Sequence, residues 1–185
     1  MGIVGFYDWI RTNYSLAIKS GINKPILLNH IYFDLNYLLH MFYNEPNLND
    51  KIKKLEDNIL FVCKKYIPTE SVNLFSDGVA PLAKLLLQRE RRLAQVRKSM
   101  SLDNLDNSSL NFTPGTKFMS ELNKNVANHF NEVVCNNLNV EEIFVSGSDK
   151  VGEGEHKLFQ LIMIYPNKIT NYKKIMMNLC IKMKI

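Results

Sequence analysis

The chain of 185 residues is long enough for one α/β domain with its own core, or for part of a larger one. With 46% hydrophobic and 22% charged residues, its composition excludes a disordered or fibrous protein. Its three widely separated cysteines exclude a disulfide framework and a zinc ribbon, and no apolar run reaches the roughly 20 residues that span a bilayer. We therefore expect an intracellular protein, of the cytoplasm or the nucleus, without a membrane partner.

The net charge of +5 is distributed unevenly along the chain. Residues 158–185 contain five lysines and no acidic residue; removing these five from the 23 basic residues leaves 18, which equals the 18 acidic residues. A nucleic-acid partner is therefore indicated only where basic residues cluster locally. Four of the five arginines lie within residues 89–97. Clustered arginine in a lysine-rich chain is typical of a site that binds phosphate through the planar guanidinium group.

Strands and helices are predicted to alternate along the chain. In chain order they are strand 31–35, helix 36–43, helix 51–66 ending before Pro68, strand 71–77, helix 81–99, a loop at 101–112, helix 113–134, strand 140–146, a glycine-marked loop at 147–154 and a helix from Glu155. This alternation predicts an α/β fold with a mostly parallel sheet flanked by helices.

Acidic residues follow each of the three predicted strands. Asp34 and Asp77 end the first two strands, and Glu153 and Glu155 follow the third. Because functional groups gather at the carboxyl ends of parallel strands, we expect these four carboxylates to lie close together. Their mutual repulsion calls for a cation between them, and oxygen ligands favour Mg²⁺ or Mn²⁺. Taken singly, the Asp-Gly pair is a common turn, and a glutamate at a helix N-terminus is favourable without a metal.

The helix predicted over 81–99 carries a row of polar and basic residues. Lys84, Gln88 and Arg91 follow i, i+4, i+7 spacing and share one face, and Arg92 adjoins them. Since this helix follows Asp77 directly, the row is predicted to bind a terminal phosphate beside the carboxylates. The alternative is an ordinary solvated basic face.

Two further positions are weaker candidates. His40 follows Asp34 by six residues, and its ring is either a contact for a nucleobase or simply a packed, hydrogen-bonded histidine. His156 and Lys157 follow the glutamates directly, and they are candidates for orienting those carboxylates or contacting phosphate.

Five segments carry motifs whose order and spacing are informative. They are Met-Gly-Ile-Val-Gly-Phe-Tyr-Asp-Trp at 1–9, Tyr-Phe-Asp-Leu-Asn at 32–36 with Leu-Leu-His at 38–40, Asp-Gly-Val-Ala-Pro-Leu-Ala-Lys at 77–84 continuing to Gln-Arg-Glu-Arg-Arg at 88–92, Thr-Pro-Gly-Thr-Lys-Phe-Met at 113–119, and Gly-Glu-Gly-Glu-His-Lys at 152–157. Together they resemble the N-terminal part of the Xrn-type 5′→3′ exoribonucleases over residues 1–160. The related flap endonucleases lack the fourth and fifth segments.

The resemblance implies a PIN/flap-nuclease-like domain that hydrolyses single-stranded RNA bearing a 5′-monophosphate. It implies that the catalytic metal ligands, for Mg²⁺ or Mn²⁺, are Asp34, Asp77, Glu153 and Glu155. It implies that the 5′-phosphate pocket consists of Lys84, Gln88, Arg91 and Arg92, with His40 at the first base. The chain departs from the family pattern at Leu82, where arginine is usual, and at Glu90, an acid inside the pocket.

The resemblance is expected to end near residue 160. We therefore divide the chain into a partial nuclease domain at 1–160 and a lysine-rich tail at 161–185 outside the family pattern. The family continues to strands with further metal-binding aspartates, whereas no acidic residue follows Glu155 here. We expect a fold that is incomplete at its C-terminus, with an unpaired sheet edge. Two functions stay open: a truncated exoribonuclease that acts with the remainder of a longer chain, and a catalytically inactive remnant or RNA-binding module that retains the 5′-phosphate pocket.

Overall fold

The computed structural model describes residues 5–15, 25–42, 45, 47–98, 109–164 and 175–177. Its elements in chain order are α1 (Phe6–Asn13), β1 (Ile26–Asp34), α2 (Leu35–Met41), α3 (Leu48–Lys65), β2 (Tyr66–Phe75), α4 (Leu82–Lys98), a short 3₁₀ helix (Ser109–Phe112), α5 (Lys117–Asn137), β3 (Glu142–Ser146), α6 (Gly154–Ile164) and β4 (Ile175–Met177). The start of the first motif, at 1–4, and most of the predicted loop, at 101–108, lie outside the described residues. No helix in the described ranges is both long enough and apolar enough to span a membrane.

The sheet brings the ends of three strands to one edge. Its strands are parallel in the order β3-β2-β1-β4. Asp34 at the end of β1 lies opposite Phe75 at the end of β2, and Phe75 in turn lies opposite Ser146 at the end of β3. The predicted α/β class, with a parallel sheet flanked by helices, is confirmed.

The segment predicted as a separate tail contributes to this architecture. Helix α6 runs from Gly154 to Ile164, across the predicted boundary at residue 160. Strand β4 pairs with His30–Tyr32 of β1. Along these three residues, β1 therefore has a neighbour on both sides and is not a sheet edge.

The first two strands begin earlier than predicted. β1 starts at Ile26, and β2 starts at Tyr66, directly after the last residue of α3. Pro68 therefore does not end the helix but lies inside β2, opposite Leu28, and the register shifts just beyond this pair. Because proline has no amide proton to donate to the ladder, an irregularity beside it is the expected result. The helix ends at Lys65, within one residue of its predicted end, but the proline that was expected to end it belongs to the next strand.

The larger core lies between the sheet, α3 and α5. Leu55 and Ile59 of α3 and Leu122 of α5 are 0% exposed and pack with strand residues such as Val72. The other core cluster is smaller, and joins Tyr32 and Phe75 of the sheet to Leu158 of α6. The larger cluster packs α3 and α5 on the sheet, and the smaller one packs α6, whose first residue lies at the carboxyl edge.

Helix α4 exposes several large apolar side chains. Leu82, Leu86 and Leu93 are 75%, 58% and 46% exposed. Lys84 and Leu85 near its start are half-buried, whereas most of the described side chains beyond them are exposed. Its position is therefore set at its N-terminal end, where it follows β2 and reaches the acidic edge of the sheet.

Candidate active site at the carboxyl edge of the sheet

Asp34 ends β1 and caps the helix that follows. Its Oδ1 accepts hydrogen bonds from the backbone amides of Asn36, at 3.0 Å, and Tyr37, at 3.4 Å. An aspartate at this position satisfies amides that have no partner within the helix. Burial, and then the charge of Asp77, raise the pKa of Asp34 to about 6. The carboxylate is therefore fixed in direction and electrostatically unfavourable as an anion.

Asp77 follows β2 and is fixed from two sides. Its backbone amide donates to Asn36 Oδ1 at 2.9 Å, and its own Oδ1 accepts from the backbone amide of Gly154 at 2.8 Å. Three chain segments are thus joined through one residue: the start of α2, the end of β2 and the start of α6. Asn36 is a positioning residue that the sequence did not reveal.

Gly154 lies between the two aspartates. A Cβ atom built on it would lie 3.4 Å from Asp77 Oδ1 and 3.5 Å from Asp34 Oδ1. Both carboxylates therefore converge on the first residue of α6. The charge of Glu155 also raises the pKa of Asp34, which places this third acid within electrostatic reach.

Glu153 is the most buried acid of the group, at 3% exposure. Its Oε2 forms an ion pair with Lys84 Nζ, and it lies 4.0 Å from His156 Nδ1. Its Oε1 is buried and has no hydrogen-bond partner in the part of the chain that the structure describes. Glu153, Glu155 and His156 offer ligand atoms that lie within 4.8 Å of one another, and the last two residues are exposed.

A buried lysine anchors the loop that carries the glutamates. Lys157 Nζ donates to the carbonyl oxygens of Ser76, at 2.9 Å, and Gly147, at 2.8 Å. Burial lowers the pKa of Lys157. The ammonium group thereby ties the ends of β2 and β3 to the first turn of α6. Of the two roles considered for Lys157, the geometry supports orientation of the glutamates.

At Gly78, the backbone that follows β2 packs closely against the loop that precedes α6. The Gly78 amide donates to the carbonyl of Gly152 at 2.8 Å. A Cβ atom at position 78 would lie 1.7 Å from the carbonyl oxygen of Lys150. The glycine is therefore more than a turn former, because the loop leading to Glu153 packs directly on it.

The basic row on α4 reaches the acidic site at one end. Lys84 makes the ion pair with Glu153, and further along the helix Arg92 Nη2 donates to Gln88 Oε1 at 3.2 Å. Gln88 and Arg92 are half-buried, and Arg91 is exposed. The structure thus brings Lys84 to the carboxylates and arranges the other members of the row beyond it on α4.

His40 combines features of both interpretations offered for it. Its ring packs edge-on against Phe112, with centroids 5.2 Å apart and planes at 79°. Burial lowers the pKa of His40, while the charge of Asp77 acts in the opposite direction. The residue is therefore a packed histidine that also lies within electrostatic reach of the acidic site, and part of it is exposed at the surface.

Comparison with known proteins agrees with this geometry. Residues 1–181 match the family described as XRN 5′-3′ exonuclease N-terminus. The chain belongs to this family. The XRN match includes residues 161–181, most of the segment that the sequence placed outside the family pattern.

Three curated relatives carry the name 5′-3′ exoribonuclease 1. The chain is 30% identical to the protein of Saccharomyces cerevisiae, 28% to that of Schizosaccharomyces pombe and 27% to that of Homo sapiens, each over 88% of its length. It spans 12%, 14% and 11% of these XRN proteins, respectively.

The acidic site of this XRN domain fits a divalent cation. In Glu153, one carboxylate oxygen pairs with Lys84, and the other is buried without a donor among the described residues, so it can accept a cation. Burial, and then the charge of Asp77, raise the pKa of Asp34, and a cation bound beside these two acids would favour their charged forms. The available donors are mainly carboxylate oxygens, which suit hard cations better than soft ones.

Proposed function

We propose that this chain carries the metal-binding and 5′-end-binding parts of a 5′→3′ exoribonuclease. One observation carries the proposal: the carboxylates of Asp34 and Asp77 converge on Gly154, at the start of the helix that holds Glu155. Membership of the XRN family and the names of the relatives support the direction and the substrate of the reaction.

The four acids are proposed as ligands for Mg²⁺ or Mn²⁺. When bound, such a cation supplies an activated water and stabilises the leaving oxygen of a phosphodiester. The chain's own residues hold the ligands in place: Asn36 fixes the backbone at Asp77, and Lys157 fixes the loop before α6. The ligand set proposed is Asp34, Asp77, Glu153 and Glu155.

The basic row is proposed to bind the 5′-monophosphate of single-stranded RNA. Arginine binds phosphate oxygens through two parallel hydrogen bonds, and lysine adds a point charge. Gln88 and Arg92 are already joined by a hydrogen bond, which limits the entropy lost on binding. The proposed pocket comprises Lys84, Gln88, Arg91 and Arg92, and the accessible ring of His40 is proposed to contact the first base.

We propose an intracellular location because Cys63 is a free thiol in the core. Cys63 is a free thiol in the main core, where burial raises its pKa to about 12. A thiol with this pKa is almost fully protonated and unreactive at neutral pH. A free cysteine in the core is typical of proteins from reducing compartments, and this supports the proposed intracellular location.

The test compares two short RNAs that differ only at the 5′ end. We expect the 5′-phosphorylated RNA to bind about tenfold more tightly than the 5′-hydroxyl RNA, since one charge-assisted contact contributes roughly that ratio. With this chain alone, which spans 11–14% of the relatives it matches, we expect little or no shortening from the 5′ end; Mg²⁺-dependent shortening that Asp77→Asn abolishes would show that the chain hydrolyses RNA by itself. Arg92→Gln should remove most of the preference, whereas Arg11→Gln, which removes the same charge from exposed α1, should leave it unchanged.

The outcomes distinguish the two functions left open by the sequence. Preferential binding with shortening supports the exoribonuclease. Preferential binding without shortening supports the RNA-binding module, because the pocket then works without hydrolysis in this chain. Equal affinity for the two RNAs contradicts both proposals, since each depends on the basic row of α4.

A further inference from the structure

Lys84 belongs both to the acidic site, through its ion pair with Glu153, and to the basic row of α4 that is proposed to bind phosphate. Its Nζ pairs with Glu153 Oε2, and the side chains of the two residues are 29% and 4% exposed, respectively. Gln88 lies one turn further along α4, on the same face, as the first of the remaining pocket residues. Lys84 therefore compensates a carboxylate that is almost fully buried while it also belongs to the row proposed to bind phosphate.

We propose that Lys84 couples cation binding at the carboxylates to phosphate binding on α4. The inference rests on the proposed function, since it assumes that the basic row binds the 5′-phosphate. In the absence of a cation, moving the ammonium group toward a phosphate leaves Glu153 buried and unpaired. Removing one partner of a buried ion pair is strongly unfavourable, so Lys84 is held at Glu153 under these conditions.

The second oxygen of Glu153 is the point at which a cation acts on this ion pair. Oε1 is buried without a partner among the described residues, so it is the oxygen still available for a ligand. A cation at Oε1 compensates the same negative charge that holds Lys84 at Oε2. The ion pair is then weaker, and the ammonium group is able to turn toward a phosphate on α4.

Such coupling is reciprocal by thermodynamic necessity. If the cation raises the affinity for phosphate by a given factor, phosphate raises the affinity for the cation by the same factor. Couplings between ligand sites in proteins commonly reach about tenfold, and we expect a factor of this order here. The consequence is that an RNA end with a phosphate favours the metal-loaded site, and an RNA end without one does not.

The experiment measures binding of a nucleoside 5′-monophosphate, which has no phosphodiester bond to cleave. Titration calorimetry on the 185-residue chain is run with and without Mg²⁺, with the unphosphorylated nucleoside as reference. In the wild type, Mg²⁺ should increase the affinity about tenfold. In Lys84→Met the ratio should fall to about one, because the coupling group is absent. Arg92→Met is the matched control: it should weaken binding in both conditions and keep the wild-type ratio.

A second variant tests the inference by changing the other member of the ion pair, Glu153. Glu153→Gln keeps the size of the side chain but releases Lys84 from its ion pair. Its affinity for the nucleotide without Mg²⁺ should rise above that of the wild type, and Mg²⁺ should then add little. This variant keeps the test decisive if Lys84→Met fails to fold.

Each remaining outcome has a defined meaning. A wild-type ratio of one, or an unchanged ratio in Lys84→Met, overturns the coupling while leaving the proposed function in place. If the wild type prefers the nucleotide over the nucleoside neither with nor without Mg²⁺, the proposed phosphate pocket itself is overturned. In that case the proposed function and this inference fall together.

Discussion

Replacing Asp34 with asparagine should make the metal-free protein more stable at neutral pH. Burial and the neighbouring Asp77 raise the pKa of Asp34 from 3.8 to about 6, so the folded state disfavours the charge that neutral pH imposes. A shift of about two pKa units corresponds to about 3 kcal/mol of unfolding free energy, which is the upper limit of the gain. Asparagine caps helices as well as aspartate, so the hydrogen bonds to Asn36 and Tyr37 are retained.

The same shift fixes the pH dependence of the gain. Below pH 4 the carboxyl is protonated in both the folded and the unfolded state, so Asp34→Asn should change little. Between pH 4 and pH 6, residue 34 is deprotonated in the unfolded state but still largely protonated in the folded state. The wild type therefore loses stability through this residue as the pH rises. The difference between variant and wild type should therefore grow through this interval and stay constant above it.

Urea denaturation in the presence of a chelator, at several pH values from 4 to 8, measures this difference. Asp57→Asn, at an exposed position of α3, is the matched control and should show no comparable gain. Adding Mg²⁺ should stabilise the wild type more than Asp34→Asn, since the variant has lost a proposed ligand charge. The reasoning is refuted if Asp34→Asn is no more stable than the wild type at pH 8, or if the difference is the same at pH 4.

Three further substitutions test the contacts that support the site. The quantity measured for each is the change in the free energy of unfolding. Gly78→Ala should cost about 3 kcal/mol, because its Cβ would collide with the backbone carbonyl of Lys150. Lys157→Met should cost about 2–4 kcal/mol, because it leaves two strand-end carbonyls without their donor. Asn36→Ala should cost about 1–2 kcal/mol, because the amide of Asp77 loses its acceptor.

Each of these substitutions is compared with a substitution at an exposed position. These controls are Val79→Ala beside Gly78, and Lys124→Met and Asn125→Ala on α5. The controls should change the unfolding free energy by less than about 0.5 kcal/mol. A loss as large in a control as in its test variant would show that the named contact does not carry the effect.

The acidic edge was predictable because it depends on periodicity and parallel topology alone. Asp34 and Asp77 stand where apolar runs end, and the carboxyl ends of adjacent parallel strands must meet. The starts of β1 and β2 were not predictable in this way. Polar residues such as Asn29 and His30, together with Pro68, hide the alternation of a strand, and pairing across the sheet overrides local preference there.

The contacts that orient the site could not be predicted from the sequence, because they join segments that are far apart along the chain. The pairing of Lys84 with Glu153, and of Asn36 with the amide of Asp77, depends on how far the helices rotate on the sheet. Periodicity placed Lys84 on the right face of α4 but did not identify its partner. Lys157 was considered as an orienting residue, whereas its two carbonyl partners followed only from the positions of the strand ends.

The parallel order of the strands also determines when the site forms during folding. Asp34, Asp77 and Glu153 reach one edge only after two long crossovers have closed, one through α2 and α3 and the other through α4 and α5. Contacts of such large sequence separation lose most loop entropy before they gain any pairing, so they form slowly and late. We therefore expect the acids to stay apart early in folding, and their repulsion to arise late, together with the contacts of the Lys84 and Lys157 ammonium groups.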